Sequence, residues 1–444
     1  MRWLLPLLLL SSPLLIAAKP QPEIANAVAG VDERELRATL EQLVGFGTRH
    51  TLSDRTSEIR GIGAAERWTA GRFAAISTQC GGCLSVVVPK ETFTGNRVPK
   101  PTEIGAILAI QRGTTEPNRV IIISGHIDSR VSDPLNATSD APGANDDGSG
   151  TAAVIEAARV LSRFKFPATL VYAVLEGEEQ GLYGGKVLAN YAKAQGWQVQ
   201  ADLNNDIVGN TTSLAGVVDK THIRVFSEGT KAVETPEQAA KRRYNGGEVD
   251  SPSRNLARFV SLMAQTYVPK LNVIMVYRTE RYGRGGDQVE MLNAGFPAVR
   301  LTEPGEHYDR QHQDVRVENG RAYGDVLSGV DLPYLATVTK LNIASMASMA
   351  RAPAPPSGVE ISGAVSSDTH LAWKPSPGAV GYRVHWRGTT EPTWTHTRAA
   401  SGTDITLKNV IIDDWLFGVS AISATGDESP VVFPGPAGSF ISTP

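Results

Sequence analysis

Residues 143–150 read GANDDGSG. Asn145, Asp146 and Asp147 stand side by side with glycine on both flanks. Taken alone, the stretch is an ordinary solvated turn, because Asn, Asp and Gly are the usual turn residues. A calcium loop does not fit it. A register ending in Asp147-Gly148 would put Gly143 at the first ligand position and Val154 at the last, where Glu is needed. The neighbouring sequence gives the turn its meaning. Upstream, NRVIIISGH (118–126) is a buried-strand run that leads into His126 and Asp128. Downstream, GSGTAAVIEAARVLSRF (148–164) has the spacing of an amphipathic helix that starts at Gly148-Ser149. The octet is the loop between a strand and a helix.

The same alternation continues. ATLVYAVLEGEE (168–179) reads as a strand, QGLYGGKVLANYAKAQG (180–196) as a helix and VQADLNNDIVG (199–209) as a further strand. Near the start, DERELRATLEQLVGF (32–46) has helical apolar spacing at Leu36, Leu40 and Leu43. Strands alternating with helices predict an α/β/α sandwich around a mixed, largely parallel sheet, over residues 24–350. RAPAPPSG (351–358) reads as a Pro-rich linker. Beyond it, THLAWKP, GYRVHWRG, TDITLKNV and WLFGVSAIS are short alternating strands with no evident helix, so residues 359–444 predict a small β-sandwich.

The chain has 444 residues, 41% hydrophobic and 20% charged, with a formal net charge of −3. This is globular composition with no basic excess that would point to nucleic acid. Residues 1–18 have one early cation, Arg2, then an apolar run to Ile16 and Ala17-Ala18. They read as a signal peptide, and the run is too short and too Pro-broken to span a bilayer. No other stretch is long enough to span. The expectation is an exported chain, periplasmic or secreted. The two cysteines, Cys80 and Cys83, lie in CGGC and predict a local disulfide in that setting. A redox site would need a strand before the motif and a helix starting on it, and here the order is reversed.

Three predicted strands end in groups that bind metals or move protons: His126 and Asp128; Glu176, Glu178 and Glu179; and Asp206. Ligands of open α/β folds bind outside the carboxyl ends of the strands. So many carboxylates at one edge repel unless a cation neutralises them. Oxygen and imidazole donors together suit zinc, with manganese or cobalt as alternatives. No HExxH and no GxSxG occurs, so neither a thermolysin-type site nor a nucleophile elbow is present.

GHIDS, GANDDGSG, EGEEQGLYGG and NNDIVGN, followed by a late histidine, resemble in this order the zinc-dependent exopeptidases of the bacterial leucyl aminopeptidase type. Glutamate carboxypeptidase II and the secretory glutaminyl cyclases are relatives of that type. The resemblance covers most of residues 30–345. It implies two Zn2+ ions bridged by Asp146, with His126 and Asp206 completing one site and Glu179 and a late histidine the other. It implies Glu178 as general base, and Asp128 as the group that fixes the His126 tautomer. It also implies a non-proline cis peptide between Asp146 and Asp147. The late histidine is His307 or His312. Asp314 close behind His312 matches the pattern better, so His312 is expected. Gln311 stands where the tyrosine of relatives precedes that histidine. Arg284, Asp287 and Tyr308 are the candidate substrate-binding residues. The implied reaction is removal of the N-terminal residue from a peptide with a free N-terminus. A carboxypeptidase of the same fold and a glutaminyl cyclase-like acyltransferase are the alternatives. The C-terminal segment resembles a fibronectin type III domain, with Trp373 and YRVHW in the expected strands and Trp415 where a tyrosine is usual; its partner is unknown.

Overall fold

The computed structural model describes residues 20–441; the signal-peptide reading of residues 1–18 lies outside the described residues. Nine strands form one sheet: β1 (Ser85–Val87), β2 (Lys90–Gly95), β3 (Val98–Gln111), β4 (Glu116–His126), β5 (Ala168–Leu175), β6 (Gln198–Asn205), β7 (His222–Phe226), β8 (Asn272–Val276) and β9 (Ala298–Thr302). Their order is β1-β3-β5-β4-β6-β9-β7-β8, with β2 paired to β3. Strands β5, β4, β6 and β9 run parallel, while β3 and β7 flank them antiparallel. The sheet is therefore mixed and parallel at its centre.

The helices are α1 (Pro22–Ala29), α2 (Glu33–Gly45), α3 (Gly61–Gln79), α4 (Gly148–Leu161), α5 (Glu178–Gly181), α6 (Tyr183–Ala194), α7 (Pro236–Asn245), α8 (Pro252–Tyr267), α9 (Gln288–Asn293) and α10 (Leu332–Arg351). Successive side chains of a strand point to opposite faces, so the apolar runs divide by parity. Ile121, Ile123, Leu170, Tyr172 and Val174 pack with α2, α4, α8 and α10. Val120, Ile122, Val171, Ala173 and Leu175 pack with α6 and α9. Burial on both faces explains why β4 and β5 read as continuous apolar runs. The register pairs His126 with Leu175, and Ser124 with Asn204. The residues just past the ends of β4, β5 and β6 therefore share one edge of the sheet.

Two differences from the sequence reading matter. Residues 180–196 are not one helix: Leu182, in the left-handed region at φ 60°, separates α5 from α6. This lets Glu178 and Glu179 turn toward the sheet edge while α6 packs on the opposite face. The stretch read as a linker is also packed. Ala352, Pro353, Pro355 and Pro356 are buried, and Arg119 donates to the carbonyls of Met349 (3.0 Å) and Ala352 (2.9 Å).

After a small hairpin, β10 (Arg316–Glu318) and β11 (Arg321–Tyr323), the C-terminal strands are β12 (Ser357–Ser362), β13 (Thr369–Lys374), β14 (Ala379–Gly388), β15 (His396–Ala400), β16 (Asp404–Leu407) and β17 (Trp415–Ser423). They make two antiparallel sheets, β12-β13-β16 and β15-β14-β17. These close on a core that includes Trp373, Tyr382, Val384, Phe417 and Val419. This is the small C-terminal β-sandwich. Cys80 and Cys83 are bonded to each other at the end of α3. Among the described residues no helix is long and apolar enough to cross a membrane.

Candidate metal centre

The octet 143–150 is built to hold its carboxylates still. Asp147 caps α4, accepting from the backbone N–H of Gly150 at 2.9 Å. The same carboxylate accepts from the N–H of His126 (3.0 Å) and of Ile207 (3.1 Å). One buried side chain thus ties the ends of β4 and β6 to the start of α4. Gly150 has no room for a side chain, since a Cβ there would lie 2.2 Å from the Asn205 carbonyl oxygen. Gly143 adopts φ 51°, open to glycine at little cost. The expected cis peptide joins Asp146 and Asp147. Asp325 accepts from the N–H of Asp146 at 2.7 Å and of Asn145 at 2.9 Å. Arg49, fully buried, donates to the carbonyls of Ile127, Leu43, Pro142 and Gly143.

Two groups of donor atoms result: His126, Asp146 and Asp206, and Asp146, Glu179 and His312, the atoms within each group lying within 4.8 Å of one another. Asp146 belongs to both. Its Oδ1 is 3.3 Å from His126 Nε2 and its Oδ2 is 2.9 Å from His312 Nε2. His126 Nε2 is 3.9 Å from Asp206 Oδ1, and His312 Nε2 is 2.8 Å from Glu179 Oε1. His126 Nε2 and Glu179 Oε1 are buried and, although Asp146 and His312 stand close to them, neither makes a hydrogen bond of good geometry. Buried polar atoms are seldom left so, and here they converge on the two donor groups. Imidazole nitrogen and carboxylate oxygen, with no thiolate, fit zinc.

Electrostatics says the same. Burial works to lower His126, yet Asp128, Asp146, Asp206 and Glu178 hold it well above the usual histidine range. Burial works to lower His312 too, and Glu179 and Asp146 carry it to about 10. Glu178 is pushed well up, first by burial and then by Asp206, Glu179 and Asp287, against the pull of His126. A buried anionic cluster draws in positive charge, as protons or as metal ions.

Asp128 has a broader place than the sequence reading gave it. His126 Nδ1 lies 3.0 Å from the Asp128 backbone carbonyl, and the carboxylate is farther, at 3.6 Å. That carboxylate accepts instead from the N–H groups of Glu178 (3.2 Å) and Glu179 (3.1 Å) and from the Thr51 hydroxyl (3.1 Å). It fixes the turn that presents both glutamates. Glu178 Oε2 reaches to 4.0 Å from His126 Nε2.

The other candidates separate. Glu176 turns away from the site and accepts from Arg55 (3.1 Å) and the Gly105 N–H (2.9 Å). His307 belongs to neither donor group. Tyr308 is half exposed. Asp287 is buried, accepts from the Gly185 N–H (3.1 Å), and is raised to about 8 by burial and by Asp128 and Asp206. Arg284 pairs with Glu306 at 2.6 Å and feels the charge of Asp146.

Two arginines at the centre were missed. Arg130 Nε lies 2.7 Å from Glu179 Oε2, and its Nη2 lies 2.5 Å from His312 Nδ1. Arg300, fully buried on β9, holds Asp206 Oδ1 at 2.9 Å. The available signals were an arginine directly after GHIDS and an arginine inside the apolar run FPAVRL. Gln311 donates to Asp146 Oδ2 at 3.0 Å, at the position where a tyrosine was missing.

Residues 106–329 match the model of Peptidase family M28. A probable zinc metalloprotease of Leptosphaeria maculans is 42% identical over 95% of this chain and 99% of that one. One of Pyricularia oryzae is 40% identical, over 95% and 86%. Matches of this extent run through the C-terminal sandwich. Among solved structures, the LapA aminopeptidase of Legionella pneumophila superposes with a TM-score of 0.53 at 18% identity, over 73% of each chain. The aminopeptidase of Aneurinibacillus sp. strain AM-1 gives 0.52 at 14%, over 74% of this chain and 96% of that one. These likenesses establish a shared fold.

Proposed function

Because this chain belongs to Peptidase family M28 and is a zinc metallopeptidase, we propose that it is an exported aminopeptidase that uses two zinc ions and Glu178 as general base. The observation that carries this reading is the pair of donor groups sharing Asp146, with Glu178 beside them. His126, Asp146 and Asp206 would hold one ion, and Asp146, Glu179 and His312 the other. Ions held there supply Lewis acidity, lowering the pKa of a water and polarising the scissile carbonyl. Glu178 takes the proton of the attacking water and delivers it to the leaving amine. Its backbone N–H, held on Asp128, keeps the carboxylate aimed at the donor groups. Burial raises the proton affinity of the Glu178 carboxyl. Arg300 and Arg130 fix Asp206 and Glu179, so the ligand carboxylates keep their orientation as substrate enters. The choice of aminopeptidase follows the solved aminopeptidases that share this fold. The export reading rests on residues 1–18, supported by the Cys80–Cys83 bond.

A second reading has its own observation. Arg281 and Arg284 gather on Glu306, and Arg281 and Arg300 on Glu280, close to Asp206. Such a basic wall suits a substrate carboxylate and hence carboxypeptidase action. Peptides blocked at the amino or at the carboxy terminus, assayed with the zinc content measured, separate the two. The aminopeptidase reading expects cleavage of carboxy-blocked peptides and none of amino-blocked ones; the opposite pattern overturns it.

A further inference from the structure

The C-terminal sandwich is joined to the α/β part through a buried carboxylate. Asp250, with no exposure, sits just before α8. Both of its oxygens accept from Arg387 Nη2 of β14, at 2.7 and 2.8 Å, and Oδ1 also accepts from Arg258 Nη1 at 2.9 Å. Arg387 is as buried as Asp250. Arg258 Nε donates across the boundary to the Pro392 carbonyl at 2.8 Å, and both guanidinium groups lie over the Trp394 ring. Breaking a buried pair by removing one partner leaves an uncompensated charge, so this contact is strongly felt when cut.

From Asp250 the contacts lead toward the metal centre. The Ser251 hydroxyl, which caps α8, donates to the Glu228 carbonyl at 2.6 Å. One turn on, Arg254 Nη2 donates to the Ser227 carbonyl at 2.8 Å, and the same guanidinium stacks on Tyr277 at 3.8 Å. The Ser227 N–H donates to the Arg278 carbonyl at 3.0 Å. The first turn of α8 therefore grips the ends of β7 and β8. The segment that follows, residues 277–287, carries Arg281, which reaches to 4.0 Å from Asp206 Oδ2, and Arg284, which pairs with Glu306. His126, Glu179 and Asp206 stand at or just past the ends of β4, β5 and β6, Asp146 on the turn before α4 and His312 on the loop after β9, so no donor lies between Asp250 and residues 277–287.

We propose that Arg387 is a positioning residue. Through Asp250 and the first turn of α8, the C-terminal sandwich holds residues 277–287 against the metal centre, and the sandwich is a working part of the peptidase. The proposal rests on that centre being the peptidase site.

Full-length Arg387→Ala tests it. The expected result is an unchanged zinc content, a KM raised about tenfold with kcat within twofold, and faster amide exchange in the first turn of α8 and in residues 277–287 but not in β4 or β5. Arg387→Lys, a point charge without the planar fork, should fall between the two. Tyr277→Leu combined with Arg387→Ala should cost less than the sum of the single changes, as expected for residues on one path. Asp427→Asn loosens the separate contact with Arg351 and should leave KM unchanged. Unaltered KM and exchange in Arg387→Ala would overturn the proposal. So would exchange that rises equally through β4 and β5, or failure of both Arg387 variants to fold, because either result assigns the contact to the whole fold. If the wild-type chain cleaves no peptide, the proposed function fails, while the exchange data still decide whether the sandwich holds this segment.

Discussion

Asp325 lies 179 residues from Asp146 in sequence and supports this donor, which both groups share. Its carboxylate accepts from the N–H of Asp146 at 2.7 Å and of Asn145 at 2.9 Å, at a buried point of the turn. Replacing it with alanine leaves two buried N–H groups unpaired. Each unpaired group costs about 1–3 kcal/mol, so Asp325→Ala should lower the unfolding free energy of the α/β part by about 2–6 kcal/mol. Asp325→Asn can keep an oxygen in the Oδ2 place that both N–H groups use, but sets its amide donor against the Asn145 N–H, which also reaches Oδ1 at 3.0 Å. It should cost about half as much, roughly 1–3 kcal/mol. Urea titration of the metal-free chain, followed by circular dichroism, measures both variants. The turn carries Asp146, so Asp325→Ala should also bind less zinc at a fixed free concentration. A variant with stability within about 0.5 kcal/mol of wild type, the range of ordinary surface changes, and with full zinc binding would refute this account of the turn.

Three further outcomes follow from the site and the core. Glu178→Gln should keep its zinc and lose turnover on the order of a hundredfold or more, as removal of a general base does, whereas Glu179→Ala should lose zinc; equal zinc loss in both would erase the distinction between base and ligand. Asp202, buried on β6 with only the Ser124 hydroxyl as partner to Oδ1, is raised by burial to about 7. Its folded pKa exceeds the unfolded value of about 3.9, so the stability it contributes is complete below pH 4 and is lost as pH rises toward 7. Asp202→Asn should flatten that fall, which amounts to a few kcal/mol at about 1.4 kcal/mol per pH unit, and unfolding titrations between pH 4 and pH 8 would show an unchanged slope if the reasoning is wrong. His312→Ala should lose one zinc per chain and nearly all activity, while His307→Ala keeps both, as plasma emission spectrometry would report.

The motifs at the ends of β4, β5 and β6 were legible because a parallel sheet sets them by local pattern. An apolar run ends, a turn follows, and the first polar residues beyond it share one edge. The central strands and α4 were readable for the same reason, since two buried faces leave little room for other residues. His312 was harder to place. It lies on an irregular loop at φ 57°, and its position depends on Arg130, 182 residues away. Arg300 and Asp325 have no local pattern that assigns them to Asp206 and the Asp146 turn; only the sheet order β6-β9 and the return of the chain before α10 bring them there. Arg387 was hidden in an ordinary strand, GYRVHWRG, because the partner that buries it belongs to another part of the chain.

The central claim is that Asp146 bridges two metal ions. The direct measurement is anomalous diffraction at the zinc edge from crystals of the zinc-loaded chain. The account predicts two peaks roughly 3.5–4 Å apart, as in two-metal sites generally, one beside His126 and Asp206 and the other beside Glu179 and His312, with one Asp146 oxygen on each. A single peak, or two peaks with Asp146 on only one of them, would contradict it.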